Sequence, residues 1–149
     1  MMSIELRIAE NYRDVQRRIE AACHRAGRSA ADVKLVAVTK YARLEWVREL
    51  IAVGVCDLGE SRPQQLLERT ELTLQNVRWH LIGHLQRNKA RRVLPLVSLM
   101  HSVDTFRLLG TLERLAEELE IQPRLLLEIN ISGESAKHGF SQHQLVENW

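Results

Sequence analysis

Apolar residues recur at intervals of three and four from Ile8 through Tyr12, Val15, Ile19, Ala22, Cys23 and Ala26, which predicts one long helix over about 3–26. Gly27 ends the pattern in a residue that adopts a left-handed backbone at little cost. The pattern then changes. Leu35-Val36-Ala37-Val38 is a short, continuous, Val-rich run, and it closes on Thr39 and Lys40. Such a run, flanked by helical patterns, predicts a buried strand of a parallel sheet over about 33–39.

The same alternation repeats along the chain. Leu44, Val47, Leu50 and Ile51 mark a short second helix, and Val55-Cys56-Asp57-Leu58 a second strand that exits at Gly59-Glu60. Ser61 as cap and Pro63 in the first turn open a third helix with Leu66 and Leu67 facing inward. A third strand is expected over 77–82, followed at Gly83 by a tight turn or a close approach. A helix over 85–96 is shortened by Pro95, and a fourth strand covers 97–102. Asp104 reads as the amino cap of a helix carrying Leu108, Leu112, Leu115 and Leu119, which Pro123 ends before a fifth strand over 124–130. Ser141 and Gln144 have the spacing of a capping box, so a last helix runs through Leu145 toward Trp149 and is expected to continue past it.

Five strand-plus-helix units with short connections and no shift in composition predict one α/β domain, residues 1–149, with parallel strands and outer helices. The alternation does not choose between a doubly wound sheet and a barrel. No Gly-x-Gly-x-x-Gly follows the first strand and no Walker-type loop is present, which disfavours dinucleotide and nucleotide-hydrolase readings. Five units also cannot close an eight-unit barrel.

Composition narrows the function classes. With 45% hydrophobic residues the chain holds enough apolar material for a core, and a net charge of +2 from 21 basic and 19 acidic side chains does not point to nucleic acid or an anionic membrane. Arg87, Lys89, Arg91 and Arg92 form a basic run that reads first as a solvated helix surface. Cys23 and Cys56 have no metal or redox spacing and read as small buried thiols. Without a secretory or membrane-length apolar run, the default compartment is the cytoplasm.

Candidate chemistry gathers at the predicted strand exits: Lys40, then Glu60 and Ser61, His84, His101 with Asp104, and Asn130. In a parallel barrel these exits share one mouth. A partly desolvated lysine there is a better nucleophile toward a carbonyl, although Lys40 also reads as an ordinary strand terminator. Glu60 either orients a neighbouring base or forms a rim salt bridge. His80 and His84 are four apart, but a strand and Gly83 separate them, which is poor spacing for zinc. His101, Ser102 and Asp104 lack the surroundings of a nucleophile elbow. The spacing yields no metal site and no secure catalytic donor–acceptor pair.

In combination, Leu35-Val36-Ala37-Val38-Thr39-Lys40, Leu58-Gly59-Glu60-Ser61-Arg62, Trp79-His80-Leu81-Ile82-Gly83-His84-Leu85-Gln86-Arg87-Asn88-Lys89, His101-Ser102-Val103-Asp104 and Leu127-Glu128-Ile129-Asn130-Ile131-Ser132-Gly133 with Lys137-His138-Gly139 resemble the pyridoxal phosphate homeostasis protein family. The resemblance implies a partial (β/α) TIM-type barrel like the alanine racemase N-terminal domain, about five of its eight units, with the carboxyl-terminal third of the family's domain lacking. It implies pyridoxal 5'-phosphate held as an aldimine on the lysine matching Lys40, in a carrier or regulator of vitamin B6 and amino-acid balance, with amino acids or enzymes that use the cofactor as partners. It does not bring with it a nucleic-acid partner, a membrane or an oligomeric state. Where the family commonly has Asn, this chain has Ser61. The family's phosphate-binding Ser/Gly-rich segment and later arginine fall beyond Trp149, so weakened cofactor binding is expected of this chain. Two other readings stand beside this one: a racemase-like enzyme using the same cofactor, and an interaction module using the basic surface of residues 87–92.

Overall fold

The computed structural model describes residues 3–72, 76–134 and 136–148. Helix α1 spans Ile4–Arg25; Ser3 caps it by accepting from the Leu6 amide, and Gly27 follows with φ +64°. A single turn of 3-10 helix, Ala30–Asp32, leads to strand β1, Ala37–Val38. The remaining elements are α2 Leu44–Ala52, β2 Asp57–Glu60, α3 Pro63–Leu72, β3 Arg78–Leu81, α4 Arg87–Val93, β4 Val97–Val103, α5 Phe106–Glu118, β5 Leu125–Leu127 and α6 Gln142–Asn148.

Among the described residues five strands form one sheet in the order β1-β2-β3-β4-β5, and every adjacent pair is parallel. Consecutive strands lying side by side, each joined to the next through a helix, are the repeating unit of a (β/α) barrel wall. The core lies between this sheet and the helices. Val47, Leu58, Leu66, Leu81, Val93, Met100, Leu108 and Leu112 are buried in it. The opposite face is less covered, for Val38 and Leu126 keep 54% and 49% of their surface exposed.

Several elements differ from their sequence-based expectation, each for a local reason. The first strand is shorter than 33–39 because among the described residues β1 has a neighbour on one side only, so few of its backbone groups enter the ladder. The second strand begins at Asp57, so Cys56 precedes it and is only half-buried, whereas Cys23 is buried on α1. Pro95 falls in a 3-10 turn, Leu94–Leu96, that ends α4 early, as its missing donor requires. Asp104 does not cap α5. Thr105 does, its hydroxyl accepting from the Leu108 amide at 3.2 Å. The capping box at α6 forms in both directions: the Ser141 amide donates to Gln144 Oε1 at 2.9 Å and the Gln144 amide to Ser141 Oγ at 3.2 Å. Trp149, toward which that helix was expected to run, lies outside the described residues. Among the described residues no helix is long and apolar enough to cross a membrane.

Candidate functional site

Parallel register decides which side chains share a face. Ala37 pairs with Leu58 and Glu60 with Leu81, while Val38 pairs with Gly59 and Gly59 with His80. Ala37, Leu58, Glu60 and Leu81 therefore face the helices, and Val38, Asp57, Gly59 and His80 the inner side of the sheet. The inner side is tight at Gly59, where an added Cβ would stand 3.3 Å from Val36 Cγ1 and 3.5 Å from Ile82.

Lys40 follows β1 at its carboxyl end and is half-buried. Its Nζ stands 5.3 Å from the centre of the Tyr41 ring, and the Arg62 guanidinium, beyond the exit of β2, is 6.0 Å from the same ring. No hydrogen bond or ion pair holds the Lys40 amine among the described residues. The preceding residue is held firmly instead. The Thr39 amide donates to the Gly59 carbonyl at 2.9 Å, its hydroxyl to Glu60 Oε1 at 2.7 Å, and its carbonyl accepts from Arg69 Nη1 at 2.8 Å.

Of the two readings of Glu60, the salt bridge is the one that forms, but it is buried and does not lie on an open rim. Glu60 is fully buried on the helix side and ion-paired with Arg69 of α3, whose Nη2 also donates to the Ala42 carbonyl at 2.7 Å. A buried carboxylate needs such a partner. The consequence is a clamp that joins the exits of β1 and β2 to α3, directly beneath Lys40.

The other strand-exit candidates separate into two groups. His101 turns to the inner face, where its Nε2 lies 2.9 Å from His80 Nδ1, while His80 Nε2 lies 3.0 Å from Asp57 Oδ1. With Nε2–H of His80 donating to the carboxylate, its Nδ1 is left to accept from His101. Burial, and then the neighbouring His80, push the His101 pKa below its ordinary value. The two-pronged contact of Arg78 with Asp57, at 2.9 and 2.6 Å, brings the Asp57 pKa down to about 2. Nothing in the spacing of Asp57 and Arg78 announced this network, because the two meet only across the β2–β3 register.

His84 and Asp104 do come together at the exits of β3 and β4, His84 Nδ1 lying 2.6 Å from Asp104 Oδ2. His138, from the loop after β5, stacks on His84 with ring centres 4.6 Å apart. His80 and His84 therefore have different partners. Ser102 donates to the Gly83 carbonyl at 2.6 Å and has no part in a triad with His101 and Asp104. Asn130 is spent on its own loop: its Oδ1 accepts from the Gly133 amide at 3.0 Å and its Nδ2 donates to the Glu134 carbonyl at 2.9 Å. Among the described residues no hydrogen bond is formed by the Ser61 side chain, and its backbone lies against Gly83.

A separate cleft at the amino end of the sheet is lined by Tyr12, Lys34, Asp57 and Arg78, but its charged groups neutralise one another, which leaves the carboxyl-end rim as the better candidate.

No family model matches the chain. It is 35% identical over 139 residues to the pyridoxal phosphate homeostasis protein of Aquifex aeolicus, covering 93% of this chain and 61% of that protein. Among solved structures, an unknown protein from Bifidobacterium adolescentis superposes with a TM-score of 0.83 at 32% identity, covering 98% of this chain and 64% of that one. PipY of Synechococcus elongatus, in the form with pyridoxal phosphate bound, gives 0.68 at 34% identity over 82% of this chain and 57% of its own. An alanine racemase from Clostridium difficile, only 16% identical over 78% of this chain and 32% of its own, gives 0.62 and shows the shared fold alone. The chain spans about three-fifths of the length of the curated relatives it matches. By sequence and by fold, the chain is similar to pyridoxal phosphate homeostasis proteins, and its parallel α/β sheet matches part of the longer fold of PipY.

Proposed function

We propose that this chain binds pyridoxal phosphate through the Lys40 amine and serves vitamin B6 and amino-acid homeostasis as a carrier of the cofactor. One observation carries the reading. Among the described residues Lys40 presents, at a strand exit, an amine that no hydrogen bond or ion pair holds, on a backbone that Thr39, Glu60 and Arg69 hold in place. A primary amine so placed can attack an aldehyde, and the Arg62 cation beside Tyr41 favours approach of an anionic ligand. Bound there, the cofactor supplies that aldehyde and a ring that withdraws electrons from attached groups.

The half-exposed Val38 on the inner face leaves apolar surface against which a planar ring can rest. Amino acids and enzymes that use the cofactor are the proposed partners. The unpaired Cys23 and Cys56 fit a reducing cytoplasm. The relatives are named for homeostasis and not for a reaction, which supports a carrier over a racemase.

The test is covalent trapping. Purified chain is incubated with pyridoxal phosphate and treated with borohydride, and the modified lysine is located by peptide mass spectrometry. A saturable adduct on Lys40, absent in Lys40→Arg, is expected. Saturable labelling of Lys34, Lys89 or Lys137 with none on Lys40 overturns the assignment. Exchange of the alpha proton of an amino acid, abolished by Lys40→Ala, would instead favour the enzyme reading.

A further inference from the structure

We propose that His84, Asp104 and His138 form a binding site for a divalent transition-metal ion of the zinc class. The site is independent of how Lys40 is used. Its three donors come from three separate strand exits, after β3, after β4 and in the loop after β5, yet their ligating atoms all lie within 4.8 Å of one another.

The buried carboxylate carries the argument. The Asp104 side chain is only 1% exposed, and of its two oxygens Oδ1 has no hydrogen-bond partner among the described residues. A buried carboxylate charge is costly, and a cation held at Oδ2 between the two imidazoles offsets that charge. The other oxygen, Oδ2, lies 2.6 Å from His84 Nδ1 and 3.8 Å from His138 Nδ1. A tetrahedral ion with ordinary zinc bond lengths to nitrogen and oxygen sets its ligand atoms about 3.4 Å apart. The two observed separations straddle that value. Loading the site therefore requires His84 to withdraw from Asp104, His138 to approach it, and the two stacked rings to turn so that a nitrogen of each points at the ion.

The chemistry of the donors selects the ion. Two imidazole nitrogens and one carboxylate oxygen suit zinc, cobalt or nickel, whereas magnesium and calcium prefer oxygen alone. When the ion takes the Nδ1 position of His84, the ring binds as the tautomer that carries its proton on Nε2. Both rings remain accessible, with 45% of the His84 and 65% of the His138 side chain exposed, and a further position stays open to water or another ligand.

The third donor is held by backbone geometry. Gly139 has φ +112°, and a Cβ there would lie 2.8 Å from the Asn130 amide nitrogen. Buried Phe140 follows, its amide donating to the Glu128 carbonyl at 2.8 Å and its carbonyl accepting from the Asn130 amide at 2.9 Å. His138 is therefore presented from an anchored base.

The experiment uses the chelator-treated chain and the metals alone. Calorimetric titration with zinc chloride is expected to show one saturable site per chain, and cobalt chloride to give the visible bands of a four-coordinate nitrogen–oxygen site. His138→Ala, an exposed change that leaves the core intact, and His84→Ala should each weaken zinc by more than about 10-fold. His143→Ala should not, although His143 pairs with Glu147 at 3.1 Å on α6 and so controls for surface histidines. Circular dichroism verifies that each variant is folded. Absence of stoichiometric zinc binding to the folded chain, wild-type affinity in both His84→Ala and His138→Ala, or a loss caused by His143→Ala overturns the proposal.

Discussion

Ser61 and Gly83 meet backbone to backbone: a Cβ built on Gly83 would stand 2.3 Å from the Ser61 carbonyl oxygen and 2.8 Å from its Cα. The exits of β2 and β3 are thus packed so closely that only a residue without a side chain fits between them. Ser102 adds a hydrogen bond to the Gly83 carbonyl from β4.

Gly83→Ala is accordingly expected to destabilise the fold by roughly 1–3 kcal/mol, because the atoms opposing the new methyl are backbone and cannot swing aside. Urea unfolding at unchanged slope reads this directly. An unchanged midpoint would mean that the two exits separate freely.

Arg69→Leu removes the partner of a carboxylate that has no exposure to water. Breaking a buried pair from one side costs about 3–5 kcal/mol. The same change frees the Thr39 and Ala42 carbonyls, so hydrogen exchange should rise around residues 39–42. Protection that persists there would show that the clamp does not hold the Lys40 backbone.

Acid should destabilise the chain in two stages. Folding lowers the His101 pKa through burial and His80, so the unfolded chain binds the proton more readily; this stability is full above the ordinary histidine value of 6.5 and is lost as the pH falls below it. Asp57 goes from 3.8 to about 2, held chiefly by Arg78, and its contribution, on the order of 2 kcal/mol, is present above the unfolded value and lost as the pH falls toward 2. Thermal unfolding across pH should show both stages, and His101→Gln should abolish the first. A first stage that survives in that variant would assign it elsewhere.

Thr105→Ala should cost about 1 kcal/mol through loss of the α5 cap. Asp104→Asn should leave that cap intact and act on His84 instead, visible as a shift of its imidazole resonances in NMR. If only the Asp104 change frayed α5, the capping assignment would be reversed.

Much of the scaffold was legible along the chain. The 3–4 periodicity from Ile8 to Ala26, the Val-rich run before Lys40 and Pro123 after the Leu108–Leu119 stripe are local signals, and local backbone preference together with apolar spacing accounts for α1, β1 and α5. Boundaries were less legible where a competing neighbour decides them. Asp104 and Thr105 are both good caps; the hydroxyl of Thr105 reached the amide of Leu108, and Asp104 turned to His84.

The candidate site was only half legible for the same reason. Lys40 stands out because a lysine closing a buried apolar run is conspicuous in one dimension. Tyr41 and Arg69 were not marked, and Arg62 and His138 stood only inside blocks that carry the resemblance, with no role of their own, since each matters only through a partner on another segment.

The order of residues by itself therefore determined the alternating elements, the parallel α/β class and the lysine at the first strand exit, because these follow from propensity and spacing within a few turns of chain. Only the tertiary structure decided that Glu60 is a buried anchor, that His101 belongs to Asp57 and His80, and that His84, Asp104 and His138 converge. Strand register sets which faces are shared, and burial sets which charges must find partners; both are properties of segments brought together from far apart.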